Sequence, residues 1–343
     1  MPWWHNYFPR ISRNPIGLAW QLLTEKKPAA RSAMYMAAAG VALTPLDLLF
    51  ARKEKQIYSR APDPKYPIVL VCGPPRSGTT LVAQYLINNL DVGYLNNLTS
   101  LFPRSPIFAN KVFGRFIKNK VGDYEAFYGK SRGLSGVNDA LYIWDRWLGN
   151  NREAAPEHLV CGSGAQMREF FGALERLYDL PIVNKVNGLN TCANLVAEHL
   201  PNARFICVKR DPLYLAQSLY IARTQIIGDI SSAYGIQHHP THSDPVEDVC
   251  LQVIFYEQQA KRQRDLLGED RFVVVSYEEF CEEPRRFLDS YLSVQPLLER
   301  RKESKAGADK FTVSRTRRLP KKVFERLRDR LRSTDLTAIS DQS

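Results

Sequence analysis

Ile68-Val69-Leu70-Val71-Cys72-Gly73-Pro74-Pro75-Arg76-Ser77-Gly78-Thr79-Thr80-Leu81-Val82 joins an apolar, β-branched run to a glycine-containing turn and then to a helical pattern. The run is continuous rather than alternating, as expected of a strand buried on both faces. Beyond the turn, Leu81, Val82, Tyr85, Leu86 and Leu90 recur on one helical face. Gly73 and Gly78 keep the G-x-x-x-x-G spacing of a nucleotide phosphate loop, Gly73–Thr80, and its successive N–H groups with the N-terminus of the following helix would converge on one anion. Thr79, however, stands where an ATPase or GTPase loop has its lysine, and the loop's cation is Arg76. That displacement argues against a metal-bridged triphosphate and for a single phosphate-like or sulfate-like group gripped by Arg76 and backbone N–H groups. A plain Gly-Pro turn between strand and helix is the structural alternative.

Similar apolar runs recur at 181–183, 205–208 and 272–275, and helical patterns follow them. After the first of these, Thr191 is a candidate cap for a helix running to His199; after the second, Leu213, Ala216, Leu219 and Tyr220 share a face. Strands alternating with helices predict an α/β fold: a doubly wound parallel sheet with a P-loop-like nucleotide site. Residues 91–180 interrupt the alternation and are expected as a helical insertion over the carboxyl ends of the strands, where such sheets bind ligands. Three prolines within 61–67 mark the start of the core domain. The expected organisation is a helical N-terminal appendage at 1–60, an α/β domain at 61–299 carrying the insertion, and a basic C-terminal segment at 300–343.

Of 343 residues, 44% are hydrophobic and 24% charged, a composition that suits a globular enzyme with a large core. The net charge of +11 is concentrated: fourteen Lys or Arg against four acids lie between Arg300 and Arg332. Such a segment calls for an anionic partner, whether nucleotide, acidic lipid or nucleic acid, or else is a solvated tail. The six cysteines show no C-x-x-C spacing and read as reduced, mostly buried thiols of a cytoplasmic protein. His238, His239 and His242 lie close together, but without fixed partners they read as a polar loop, and no metal is expected. Near the N-terminus, Trp3, Trp4, Tyr7 and Phe8 precede an apolar stretch at 33–50 that Thr44, Pro45 and Asp47 interrupt. It is too short for a spanning helix, which needs about 20 apolar residues. A helical segment lying peripherally on a membrane and a helical subdomain packed on the core are both compatible with it.

The blocks taken together resemble the sulfotransferase family that uses 3′-phosphoadenosine 5′-phosphosulfate (PAPS). Pro75-Arg76-Ser77-Gly78-Thr79-Thr80-Leu81 is similar to its 5′-phosphosulfate loop. Phe205-Ile206-Cys207-Val208-Lys209-Arg210-Asp211-Pro212, followed by Ser218, resembles its 3′-phosphate site, and Val275-Ser276-Tyr277-Glu278-Glu279-Phe280 its segment near the nucleotide. The resemblance implies that Arg76, Ser77, Gly78, Thr79, Thr80, Arg210, Ser218 and Tyr277 bind PAPS, with PAP released and no metal used. It also implies that a basic segment, here within 300–318 and including Lys302, Lys305 and Arg315, closes over the nucleotide. With a nucleotide as the anionic partner, no nucleic acid is expected.

For catalysis, Arg76 is expected to stabilise charge on the transferring group, and Lys185 resembles a lysine that the family often places at this strand end. Asn187 stands where cytosolic members have a catalytic histidine, and Asn96-Asn97 lie near the position of a basic glutamate in protein-tyrosine members. Asp139, in Val137-Asn138-Asp139-Ala140-Leu141, is then the candidate general base, effective if partial burial raises its pKa. Its alternative is an N-cap for the following helix. Asp145 and His158 are weaker candidates. Phe102, Phe108, Phe127, Tyr128, Tyr142, Trp144 and Trp147 suggest an apolar acceptor pocket, so the expected acceptor is a hydrophobic hydroxyl compound such as a lipid or glycolipid. A P-loop kinase or NTPase, and a non-catalytic PAP-binding or nucleotide-binding protein, are the alternative readings.

Overall fold

The computed structural model describes residues 36, 38–117, 124, 126–127, 130–131, 133–237, 241–302 and 310–334. Trp3, Trp4, Tyr7, Phe8, Tyr128, His238, His239 and Lys305 lie outside the described residues. The strands are β1 (Ile68–Cys72), β2 (Gly93–Tyr94), β3 (Ala126–Phe127), β4 (Lys130–Ser131), β5 (Ile182–Lys185), β6 (Ala203–Lys209) and β7 (Phe272–Ser276). The helices are α1 (Thr44–Tyr58), α2 (Thr79–Asn89), α3 (Asn97–Leu101), α4 (Pro106–Phe113), α5 (Leu141–Leu148), α6 (Ser163–Tyr178), α7 (Ala193–Ala197), α8 (Pro212–Ala222), α9 (Pro245–Leu267), α10 (Tyr277–Glu282), α11 (Pro284–Val294) and α12 (Lys321–Arg332).

Each continuous apolar run of the sequence is a buried strand, and the sheet is parallel throughout in the order β2-β5-β1-β6-β7. Both faces of β1 are covered. Ile68, Leu70 and Cys72 pack with α5, α6 and α7, while Val69 and Val71 pack with Val82, Ala83 and Leu86 of α2 and Leu288 of α11. Strand order reverses about β1, so its carboxyl end opens into the crevice where doubly wound sheets hold ligands. Register fixes what flanks that crevice: Val71 pairs with Lys185 on one side, and Cys72 with Cys207 on the other.

Three sequence expectations change. The stretch 91–180 contributes the edge strand β2, which pairs with β5 at Ile182 and Val183 and is too short to read from periodicity. Thr191 caps nothing; its hydroxyl donates to Gly188 O at 2.9 Å, and Cys192 precedes the short helix α7. Of the aromatic residues expected at an acceptor pocket, Phe102, Tyr142, Trp144 and Trp147 are buried in the described structure. Trp144 and Trp147 cross edge-on at 5.1 Å and join Phe170 and Phe171 in the core beside the sheet, while Phe102 stacks with Phe113 beneath α1. These rings are indole and phenyl groups of ordinary core size, and burial against neighbouring helices stabilises them more than an open cleft would.

Helix α1 buries its two acids alongside the partly buried Leu46 and Phe50. Its two acids face inward: Glu54 accepts from Ile107 N (3.1 Å) and Phe108 N (2.7 Å), and Asp47 from Arg104 N and the Ser105 hydroxyl. The Ile107 and Phe108 N–H groups belong to the first turn of α4, so Glu54 of one helix caps another, and Asp47 holds the residues that lead into it. Burial pushes both carboxyls above their ordinary values, partly offset by these same hydrogen bonds. Replacing Glu54 by alanine strands two N–H donors and should cost on the order of 1–3 kcal/mol in urea unfolding. Because the folded pKa lies above the unfolded one, the contribution of the glutamate is largest at low pH and declines as pH rises through the folded value. Relative to Glu54→Gln, wild type should therefore gain stability as pH is lowered.

Candidate active site

Between β1 and α2 the chain turns through Gly73–Gly78 with three residues at positive φ: Gly73 (142°), Arg76 (76°) and Gly78 (104°). The glycines are there for close approach as well as for conformation. A Cβ on Gly73 would lie 2.6 Å from Val208 O, and one on Gly78 would lie 2.2 Å from the Tyr277 ring. Arg76 has no such freedom and holds a left-handed backbone that costs on the order of 1–3 kcal/mol at a non-glycine residue. The turn is held by side chains from neighbouring strand ends. Arg210 Nη1 donates to Arg76 O at 3.0 Å, and Arg76 Nε donates to Ser218 Oγ at 3.2 Å.

Arg210 follows β6 directly and lies over the Tyr277 ring at 5.2 Å, a cation–π contact between β6 and the start of α10. Asp211 caps α8 by accepting from Leu213 N and Tyr214 N, and its own N–H donates to Glu278. Burial pulls the Arg210 guanidinium below its ordinary value, while Tyr277 and Glu278 act the other way. The Tyr277 hydroxyl, also desolvated, is raised to about 12 and is therefore neutral at physiological pH. Two buried donors in this cluster, Ser77 Oγ and Arg210 Nε, have no hydrogen-bond partner among the described residues. Buried donors normally find acceptors, so the cluster fits a ligand carrying phosphate or sulfate oxygens.

On the other flank of the turn, Lys185 Nζ lies 2.5 Å from Asp139 Oδ1, with the Lys185 side chain 2% exposed and that of Asp139 23%. Lys185 is thus no surface lysine, and Asp139 is no helix cap. The residue before α5 is Ala140, at φ 49°, whose N–H is taken by Asn138 Oδ1. Asn138 Nδ2 donates in turn to Asn97 Oδ1 (2.8 Å), and Asn97 Nδ2 to Gly133 O (2.7 Å). Asn187 accepts from Thr79 Oγ1 at 2.8 Å, tying the end of β5 to the first turn of α2. That bond occupies the Thr79 hydroxyl proton. Thr80 opens the same helix, and Ser77 is fully buried.

The weaker candidates lie elsewhere. Asp145 pairs with Arg152 at 2.7 Å, and His158 lines a separate surface cavity of about 410 Å³ with His199. His242 Nδ1 accepts from Asp244 N at 3.0 Å, and among the described residues no three His, Cys, Asp or Glu side chains are arranged to hold a metal. Sequence reasoning missed Glu278 as a support, the Asn187–Thr79 bond, and the path of the basic segment. Extended residues 310–319 cross the site: Phe311 N donates to Cys281 O, Arg210 Nη2 to Ser314 O, and Gln217 binds both Thr316 O and Arg318 N. Helix α12 then anchors through Leu327 and Leu331 against α8 and α9.

A parallel sheet whose central strand ends in a lysine-free anion loop, flanked by arginine on one side and a lysine–carboxylate pair on the other, is the framework of a transferase for an anionic group. The chain belongs to the sulfotransferase family, whose model matches residues 67–292. Among solved structures it is similar to a sulfotransferase of Mycobacterium avium (14% identity, 93% of this chain and 81% of that one, TM-score 0.43). It is also similar to one of Mycobacterium tuberculosis H37Rv (9% identity, 98% and 92%, TM-score 0.43) and to the sulfotransferase domain of a Synechococcus olefin synthase (15% identity, 82% and 90%, TM-score 0.36). Comparison with curated proteins returns no match.

Gly78→Ala should lower thermal stability through both the Tyr277 clash and the φ of 104°. Adding Tyr277→Ala should recover the part due to the clash only, leaving a deficit of about 1 kcal/mol or more from backbone strain.

Proposed function

We propose that this sulfotransferase moves a sulfuryl group from PAPS to the hydroxyl of a hydrophobic acceptor, a lipid or glycolipid, and releases PAP. The observation that carries the donor assignment is the hydrogen-bonded cluster Arg76, Ser218, Arg210 and Tyr277 around the Gly73–Gly78 turn. It offers two cationic forks and orphaned donors to one ligand with two anionic ends. On this reading Ser77, Gly78, Thr79 and Thr80 contribute the N–H groups at the start of α2 to the phosphosulfate, and Arg210 with Ser218 receives the 3′-phosphate. The exposed guanidinium-bearing strap at 315–318 faces the same nucleotide.

PAPS supplies an activated sulfuryl group with a good leaving phosphate. What the chain adds is position and charge. As the acceptor oxygen bonds to sulfur, the sulfur–phosphate oxygen bond breaks and its electron pair leaves with the phosphate. Arg76 and Lys185 stabilise the charge that develops, and Asp139 takes the hydroxyl proton. Lys185 also fixes the carboxylate it pairs with, so one contact orients the base and presents a cation to the reacting centre. The acceptor assignment rests on two leucines of α1, Leu48 and Leu49, which are 54% and 70% exposed. Five of the six cysteines are buried and all are free, in keeping with a cytoplasmic setting, and among the described residues no helix is long and apolar enough to cross a membrane. Family membership decides against the kinase reading.

Retention on PAP-agarose is expected, weakening as salt rises. With labelled PAPS and a lipid extract, Arg76→Ala should abolish transfer, and Asp139→Asn should lower kcat on the order of 100-fold while PAP retention persists. PAP retention with no transfer to any fraction would favour a non-catalytic nucleotide-binding protein. Unchanged sulfated lipids in cells lacking the protein would overturn the lipid acceptor.

A further inference from the structure

We infer that the outer face of α1 docks on an anionic lipid bilayer. This inference stands apart from the donor site and concerns where the enzyme works. Helix α1 turns both of its acids inward, Asp47 and Glu54 each 1% exposed, to cap the start of α4. Its outward side therefore carries no carboxylate of its own. Leu48 and Leu49 stand exposed there, followed by the exposed cations Arg52, Lys53 and Lys55. The inward side also packs Leu46 and Phe50, so the outward side is left with two leucines and cations and no acid, a pairing that suits an apolar phase edged by negative charge. The turn after α4, whose Phe113 shares a cluster with Leu46 and Phe50 of α1, ends in Phe116, 71% exposed, with the Arg115 guanidinium 4.8 Å from its ring centre. An aromatic ring with a cation over it is an amphipathic anchor of the kind found at headgroup depth.

The charge pattern selects the occupant. A second copy of this chain would set Arg52, Lys53 and Lys55 against the same cations at a two-fold interface, whereas phosphatidylglycerol or another acidic headgroup complements them. Two leucines and three cations give a reversible, salt-sensitive association rather than insertion.

The test is cosedimentation of the full chain with phosphatidylcholine vesicles, with and without phosphatidylglycerol. Wild type should bind the acidic vesicles and lose that binding as salt rises. Leu48→Gln with Leu49→Gln, and separately Arg52→Gln with Lys53→Gln, should each weaken it on the order of tenfold. Both variants change exposed side chains, and unaltered PAP-agarose retention checks that they fold. Absence of binding to acidic vesicles, or equal binding by wild type and both variants, overturns the inference, the second result by putting the contact elsewhere, as in residues 1–35. A wild-type dimer in sedimentation equilibrium that Leu48→Gln with Leu49→Gln dissociates would overturn it in favour of a second copy. Loss of PAP retention in wild type would count against the donor reading alone and leave vesicle binding to be judged by itself.

Discussion

The turn at Gly73–Gly78 is squeezed between a carbonyl of β6 and the Tyr277 ring, and most of the site follows from that confinement. Neither Gly73 nor Gly78 has room for a side chain, so the turn packs by its backbone against β6 and the start of α10. On the proposed function an anion is held by the N–H groups of this turn, and its affinity depends on how firmly the turn is held. The holding groups are Arg210 on the Arg76 carbonyl, Ser218 on the Arg76 guanidinium and Asn187 on Thr79. Each arrives from the end of a strand or from the helix after it, so parallel register with β1 at the centre is what makes the cluster assemble.

Much of this was legible in the chain because the signals are local. A buried parallel strand is a run of β-branched residues, a phosphate turn is two glycines at fixed spacing, and Arg210 directly follows a strand. These features pointed to the sheet, the turn and the flanking arginine. Legibility ended where the determinants are non-local. Strand β2 has two residues, and its pairing with β5 depends on contacts 89 positions apart. Tyr142, Trp144 and Trp147 carry the composition of a pocket, yet three-dimensional neighbours on α6 make all three core, and the Tyr142 hydroxyl donates to Thr99 O of α3. Asp139 and Lys185 were separate candidates in the sequence, and only the fold makes them a pair.

The family resemblance sets a titrating base at Asn187 and another near Asn96-Asn97, and here Asn187 and Asn97 are both engaged in holding something still. Asn187 ties β5 to α2, and Asn97 steadies Asn138, which secures the strained Ala140 turn next to Asp139. An amide can donate and accept at once without changing charge, so it suits a brace in a site crowded with cations. On the proposed mechanism the ionising duty has moved to a carboxylate that another side chain fixes in place, and the amides have become its scaffolding.

The extended stretch at 310–319 is pinned at both ends, by Cys281 O near its start and by Gln217 near its finish, with α12 packed firmly beyond. A chord fastened in this way can bow outward but cannot swing away. Whatever enters beside Arg210 finds its roof already ordered, and the conformational entropy of about ten residues is lost during folding rather than on binding. Release then resembles the parting of a closed seam more than the opening of a door.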